Sequence, residues 1–185
     1  MKNLNKPVRK AVFPVAGLGT RLLPATKVMP KEMLTIVDRP LIQLAVEEAR
    51  EAGIEEFIFV ISDGKEALMQ HFQSSPALME TLLKREKHDQ IAKINKVDLQ
   101  ESVLKSVKQD QPLGLGHAVW CAKELVGDEP FAVILADDTV LGEKSCLAQM
   151  MEAYNKTGGN VIASCEVPME DTSKYGVFKI GDRDD

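Results

Sequence analysis

Two uninterrupted apolar runs constrain this chain more than any other feature. They are Phe57-Ile58-Phe59-Val60-Ile61 and Phe131-Ala132-Val133-Ile134-Leu135-Ala136. A strand with one wet face alternates apolar and polar residues, so a run without alternation fits a strand covered on both faces, as in a parallel sheet. A third short apolar stretch, Lys10 to Val15, reads as a strand near the start of the chain. Between these runs the hydrophobic period changes. After the helix-start signal Asp38-Arg39-Pro40, the residues Ile42, Ala45, Val46, Ala49 and Ala52 recur at helical spacing, and Gly53 is placed to stop the helix.

The same reading extends along the chain. Helices are expected over Gly64 to Phe72, Ala77 to Lys84, the charged stretch Lys84 to Lys96, Leu115 to Leu125 and Ser145 to Asn155. Strands are expected over Val103 to Lys108, Val161 to Val167 and Val177 to Ile180. Alternating strands and helices predict an α/β fold: a Rossmann-like, mostly parallel sheet flanked by helices. No internal repeat, low-complexity tract or linker divides it, so residues 1–185 read as one domain or part of a larger one. In such folds, ligands bind beyond the C-terminal ends of the strands.

Composition excludes several classes. Asp and Glu total 28 against 23 Lys and Arg, for a net charge of -5, which argues against a nucleic-acid-binding surface. No stretch approaches the roughly 20 apolar residues that span a bilayer, and the basic N-terminus is not followed by a signal-peptide core. A cytoplasmic location is therefore the default expectation, without a membrane partner. Cys121, Cys146 and Cys165 match neither a zinc spacing nor a disulfide framework and read as buried, inert thiols. Trp120, Met79, Met150 and Met151 read as core or packing residues rather than ligands.

Three segments carry chemistry. The first, Ala16-Gly17-Leu18-Gly19-Thr20-Arg21-Leu22-Leu23-Pro24-Ala25-Thr26-Lys27, follows the first strand. Its glycines would let backbone N–H groups approach a phosphate. It lacks the third glycine of the dinucleotide fingerprint and the Gly-Lys-Ser/Thr ending of a Walker A loop. By themselves the glycines could mark only a turn. Arg21, Lys27 and Lys31, gathered in one loop of an acidic chain, strengthen the phosphate reading.

The second segment runs from Gln109 to Val119 as Gln109-Asp110-Gln111-Pro112-Leu113-Gly114-Leu115-Gly116-His117-Ala118-Val119. An amide such as Gln109 can both donate and accept, and a glycine such as Gly114 lets the backbone approach closely. His117 reads as a helix N-terminal residue without a ligand role. The third segment is Asp137-Asp138 after the strongest strand. A carboxylate there suits a magnesium ion (Mg²⁺), which takes one or two carboxylates plus phosphates and waters.

The stretch GLGTRLLPATKVMPKEML resembles the signature of the sugar-phosphate nucleotidyltransferase family. Ala25-Thr26-Lys27 followed by Pro30-Lys31-Glu32-Met33-Leu34 is similar to its uridylyl branch, the bacterial UTP–glucose-1-phosphate uridylyltransferases. The segment from Gln109 to Val119, the run Val37-Asp38-Arg39-Pro40-Leu41-Ile42-Gln43 and the run Ser173-Lys174-Tyr175-Gly176-Val177 extend the likeness. Thr35, Leu44 and Gln73 depart from the family pattern at positions that are not ligands.

The resemblance implies Mg²⁺-dependent transfer of a uridylyl group from UTP to glucose 1-phosphate. It implies Arg21 and Lys31 as catalytic cations and Asp137 as the metal ligand. Ala16, Gly17, Gly19, Glu32, Gln109 and Gly114 would bind the nucleotide, and Gly176 would approach the sugar. It further implies segments beyond Asp185: a sugar-phosphate-contacting Val-Glu-Lys-Pro, a second metal-binding aspartate and helices that make the full-length protein a homo-oligomer. This chain is then expected to be the N-terminal, nucleotide-binding portion, without the sugar-binding and C-terminal parts. Two other readings stay open at this point: a non-catalytic nucleotide-binding or assembly module, and a thymidylyltransferase of the same family.

Overall fold

A computed structural model of the chain describes residues 6–140, 142–179 and 181. Its centre is a four-stranded, fully parallel sheet. The strands are β1 (Lys10–Pro14), β4 (Glu56–Ile61), β5 (Leu104–Lys108) and β6 (Phe131–Val133), in the spatial order β5-β4-β1-β6. Two dipeptide strands, β2 (Thr35–Ile36) and β3 (Arg39–Pro40), form a separate antiparallel hairpin. The helices are α1 (Leu41–Glu51), α2 (Glu66–Gln70), α3 (Pro76–Lys84), α4 (His88–Val97), α5 (Leu115–Cys121), α6 (Lys123–Val126) and α7 (Cys146–Thr157).

The run in β4 is covered on both sides, as its lack of alternation requires, whereas the run in β6 is not, since only Ala132 of that strand is buried and Phe131 and Val133 are exposed. Ala11, Phe13 and Val15 of the first strand segment, with Phe57, Phe59 and Ile61, face α1, α2 and α7. Val12, Ile58 and Val60 face the opposite side, where Ala118, Ala122 and Val126 of the α5–α6 segment close the layer. On the larger side Phe59 sits edge-on to both Phe13 and Phe72, with ring centroids 5.2 and 5.6 Å away.

Local chemistry sets the helix ends. At the end of α1 the Ile54 N–H donates to the Ala49 carbonyl, and the Gly53 N–H donates to the Arg50 carbonyl. This six-to-one and five-to-two pattern needs a left-handed residue, and Gly53 supplies it at φ 92°. The Ser145 hydroxyl caps α7 by accepting from Ala148 N–H, and the Glu48 carboxylate of α1 accepts from Leu147 N–H. That second contact sets a negative charge against the positive end of α7.

Several expectations need correction. Residues 161–167 and 177–179 form no strand, and Ile162, Val177 and Phe178 are exposed. A strand exists only where a neighbour completes its ladder, and no described strand pairs with either segment. Ile180 lies outside the described residues. The helix expected over Leu115 to Leu125 is two short helices meeting at Ala122, and the charged helix begins only at His88, after a break that includes Glu86 in the left-handed region. Strand β6 stops at Val133, because the chain turns at Leu135, whose carbonyl accepts from Asp138 N–H. Trp120 is not a core residue: it is 65% exposed on the outer face of α5, with the Lys123 ammonium over its ring. Cys165 is exposed and Cys121 and Cys146 only half-buried, so the thiols are not core groups. Cys165 lies in the unpaired 161–167 segment, which explains its exposure.

One buried ion pair fixes the loop after β1 to the sheet. Lys65, in the turn that follows β4, donates to the Glu32 carboxylate at 2.9 Å and to the Val15 carbonyl. Both side chains are nearly inaccessible, at 8% and 1% exposed. Burial pushes the Lys65 ammonium down from its usual range, and the bond to Glu32 works against that. Removing one member of a buried pair strands the other charge, at a cost of about 3–5 kcal/mol. Lys65→Met is therefore expected to lower the unfolding free energy by about that much in a denaturant titration. Lys65→Met with Glu32→Leu should recover much of the loss, and an equal loss in single and double variants would refute the pairing.

Candidate active site

The strand order places a crevice where sequence order reverses. From β1 the chain moves to β4 and β5 on one side, then crosses back to β6 on the other side of β1. Ligands in open α/β sheets bind at such a point, beyond the carboxyl ends of the strands. The loop after β1 and Asp137 after β6 both emerge there, and Gln109 follows β5 on the same edge.

The loop from Val15 to Leu34 is a series of tight turns rather than a helix. Thr20–Leu22, Ala25–Lys27 and Lys31–Met33 are single 3₁₀ turns, punctuated by Pro24 and Pro30. Gly19 enters the first at φ 65°, and its carbonyl accepts from the Thr26 hydroxyl at 2.8 Å. A Cβ at Gly19 would lie 3.2 Å from both the Lys31 and the Thr26 side chains, so glycine lets the two ends of the loop close on each other. Ala16, buried at the base, accepts from the Ser62 hydroxyl at 3.0 Å. Gly17 lines open space, with nothing within 4 Å of where a side chain would project.

This closure brings Lys31 to Asp137, and the ammonium donates to the carboxylate at 2.5 Å. The two residues are 106 positions apart and lie in the segments that follow adjacent strands. Asp137 is 48% exposed and Lys31 23%. Burial pushes the Asp137 carboxyl up, but the bond and charge of Lys31, helped by the charge of Lys65, outweigh it and hold the group below its ordinary range. The carboxylate is thus ionised and accessible.

Among the described residues no group of three or more His, Cys, Asp and Glu side chains could enclose a metal. Mg²⁺ does not require one, since it commonly keeps waters and phosphate oxygens beside one or two carboxylates. An ionised, half-exposed Asp137 fits that use. Asp138 is exposed, with its own N–H held in the Leu135 turn.

At the far side of the crevice, Gln109 is fixed from its backbone, where its N–H donates to the Ile61 carbonyl at 2.8 Å. Its side-chain nitrogen lies 3.1 Å from the Gly114 carbonyl and 3.0 Å from His117 Nδ1. Gly114 has φ 96° and ψ -178°, a region essentially reserved for glycine.

Nine of the ten expected site residues lie on the loops after β1, β5 and β6: Ala16, Gly17, Gly19, Arg21, Lys31, Glu32, Gln109, Gly114 and Asp137, with Glu32 buried against Lys65. Arg21 is on the first of these loops and exposed, with no ion pair to any described residue. Gly176 is not tied to them: it follows the Met169–Lys174 turn, and the space within 4 Å of where its side chain would project is open. Sequence reasoning missed Lys65, which a lone lysine after a strand does not announce. The contact of His117 with Gln109 was not legible either, because it spans a glycine turn that only the fold closes.

The nucleotidyl transferase family pattern matches residues 10–185. A UTP–glucose-1-phosphate uridylyltransferase of Komagataeibacter xylinus is 52% identical over 179 residues, covering 97% of this chain and 63% of the relative. Among solved structures, the UTP-bound UGPase from Acinetobacter baumannii superposes with a TM-score of 0.76 at 48% identity, over 81% of this chain and 53% of that one. A UDP-glucose pyrophosphorylase complexed with UDP-glucose gives 0.75 at 45% identity, over 91% of this chain and 61% of that one. The chain thus spans somewhat under two-thirds of the length of these relatives. The arrangement of loops on a parallel sheet and the match from Lys10 onward together establish that the chain belongs to the nucleotidyl transferase family.

Proposed function

We propose that this chain is the nucleotide-binding portion of a UTP–glucose-1-phosphate uridylyltransferase. The reaction joins UTP and glucose 1-phosphate into UDP-glucose and releases pyrophosphate. The observation that carries the reading is the Lys31–Asp137 contact, a cation and an ionised carboxylate meeting at the switch point of the sheet. The identity to relatives named uridylyltransferases supports uridylyl over thymidylyl transfer.

The chemistry needs little from a base. The attacking oxygen of the sugar phosphate is already anionic, and the obstacle is repulsion between two polyanions. Positioning and electrostatic stabilisation supply most of the rate. In this reading the Gly17–Gly19 backbone and Arg21 hold the triphosphate. Lys31 leaves Asp137 to neutralise phosphate charge near the α-phosphorus. Asp137 would hold Mg²⁺, which when bound screens the phosphate oxygens. Glu32, expected among the nucleotide-binding residues, is buried against Lys65 at 1% exposed, so in this reading it keeps the loop in place from below. Ala16, Gly17, Gln109 and Gly114 form the nucleoside pocket. A cytoplasmic setting and a homo-oligomeric full-length enzyme complete the proposal.

The second reading is a module that binds nucleotide without turnover. Calorimetry with UTP and Mg²⁺, beside pyrophosphate release with glucose 1-phosphate added, separates the two. Binding without release is the module outcome, release is the enzyme outcome, and absence of UTP binding sinks both. Equal affinity for UTP and dTTP would remove the preference for the uridylyl branch.

In an enzyme carrying the whole family length, Arg21→Ala or Asp137→Asn should lower kcat by about 10²–10³, the usual loss of one preorganised electrostatic partner. Near-unchanged turnover would refute the role given to that residue. The ionisation of Asp137 is separately checkable. Its folded value is depressed, so its contribution to stability is present above its unfolded value and lost as pH falls through the folded one. A carboxyl NMR titration should place its midpoint below that of a free aspartate, and Lys31→Ala should move it upward. An unmoved midpoint would mean that Lys31 does not hold the carboxylate.

A further inference from the structure

The Gln109 amide is held by two partners, and together they determine which of its atoms a ligand meets. The Gly114 carbonyl can only accept, so the amide atom 3.1 Å from it is the NH₂ nitrogen. That nitrogen has a second hydrogen, and His117 Nδ1 lies 3.0 Å away to receive it. For Nδ1 to accept, the imidazole must be neutral with its proton on Nε2. Cys121 Sγ, one helical turn further on, lies 3.9 Å from Nε2, where it can accept the Nε2 proton, and 4.0 Å from Nδ1, a long contact beside the amide nitrogen at 3.0 Å. Both amide hydrogens are then engaged, and Oε1 is the atom left facing outward as an acceptor.

We infer that His117 is a positioning residue that locks the Gln109 amide with its oxygen outward, and thereby selects pyrimidines that carry a proton on N3. The inference rests on the nucleoside pocket proposed above. Uracil and thymine present an N3–H donor to such an oxygen, whereas cytosine presents a lone pair. A site built around a fixed acceptor rejects the base that cannot donate, because two acceptors then face each other with neither satisfied. The Gly114 carbonyl alone occupies one hydrogen and leaves the second free to serve cytosine. His117 removes that option. Its place on α5 follows from the glycine turn, since Gly114 at φ 96° starts the helix that carries the imidazole back over Gln109.

The test is the ratio of UTP to CTP affinity, with Mg²⁺, for the chain and three variants whose circular dichroism is unchanged. A general loss of structure weakens both nucleotides and leaves the ratio in place, so the ratio isolates the amide. The unaltered chain should prefer UTP. His117→Ala should cut that preference about tenfold, since about one neutral hydrogen bond fixes the amide. His117→Asn should restore most of it, because an asparagine oxygen can stand where Nδ1 stands. Gln109→Ala should abolish it. A preference that survives His117→Ala, or an asparagine variant no better than alanine, overturns the inference while leaving the nucleoside pocket intact. Failure of the unaltered chain to bind UTP at all overturns the pocket and the inference with it.

Discussion

The Lys65–Glu32 pair is the interaction on which the site depends. Its bonds join the turn after β4, the end of β1 and the 3₁₀ turn that carries Lys31. Two buried charges are expensive to desolvate, and their attraction offsets that cost only with good geometry. One Glu32 oxygen has no hydrogen-bond partner among the described residues, so the pair is a positional device more than a source of net stability. With Glu32 held, the neighbouring Lys31 has little freedom. It projects over the strand ends instead of into solvent, and its ammonium reaches Asp137.

The Lys31–Asp137 contact shows how sheet topology generates chemistry. Neither residue is unusual alone. Parallel pairing of β1 with β6, in the register Lys10↔Phe131 to Val12↔Val133, sets the two following loops side by side. Crossing from β5 to β6 on the far side of β1 opens the crevice between them. The resulting pair keeps a carboxylate ionised and a cation nearby. In the proposed reading the two groups would meet an anionic, metal-bearing ligand once Lys31 leaves Asp137.

Much of this was legible in the sequence, for definite reasons. The apolar run at Phe57–Ile61 announced a parallel sheet because a doubly covered strand cannot alternate, whereas the run at Phe131–Ala136 forms a parallel strand that is exposed at Phe131 and Val133. Gly53 announced the end of α1, and Ser145 the start of α7, because backbone groups at helix ends need those residue types. The loop from Ala16 to Lys31 was legible through its glycines, prolines and cations. The segments at 161–167 and 177–179 misled because strand propensity describes a surface that fits a sheet, while a strand needs a partner. Trp120 misled because size suggests burial, although the face of α5 opposite Ala118 and Ala122 is open.

By itself the sequence determined the central strands β1, β4, β5 and β6, most helices, the place of the glycine-rich loop after β1, and the glycines at the left-handed or extended turns Gly19, Gly53 and Gly114. These are local matters: side-chain period, capping and steric freedom act within a few residues. Tertiary structure alone decided that Lys65 lies under Glu32, that Lys31 meets a carboxylate 106 residues away, and that His117 closes on the Gln109 amide. Each of those joins residues whose separation in sequence carries no signal. Only the strand order and the turns at Gly19 and Gly114 bring them within hydrogen-bonding reach.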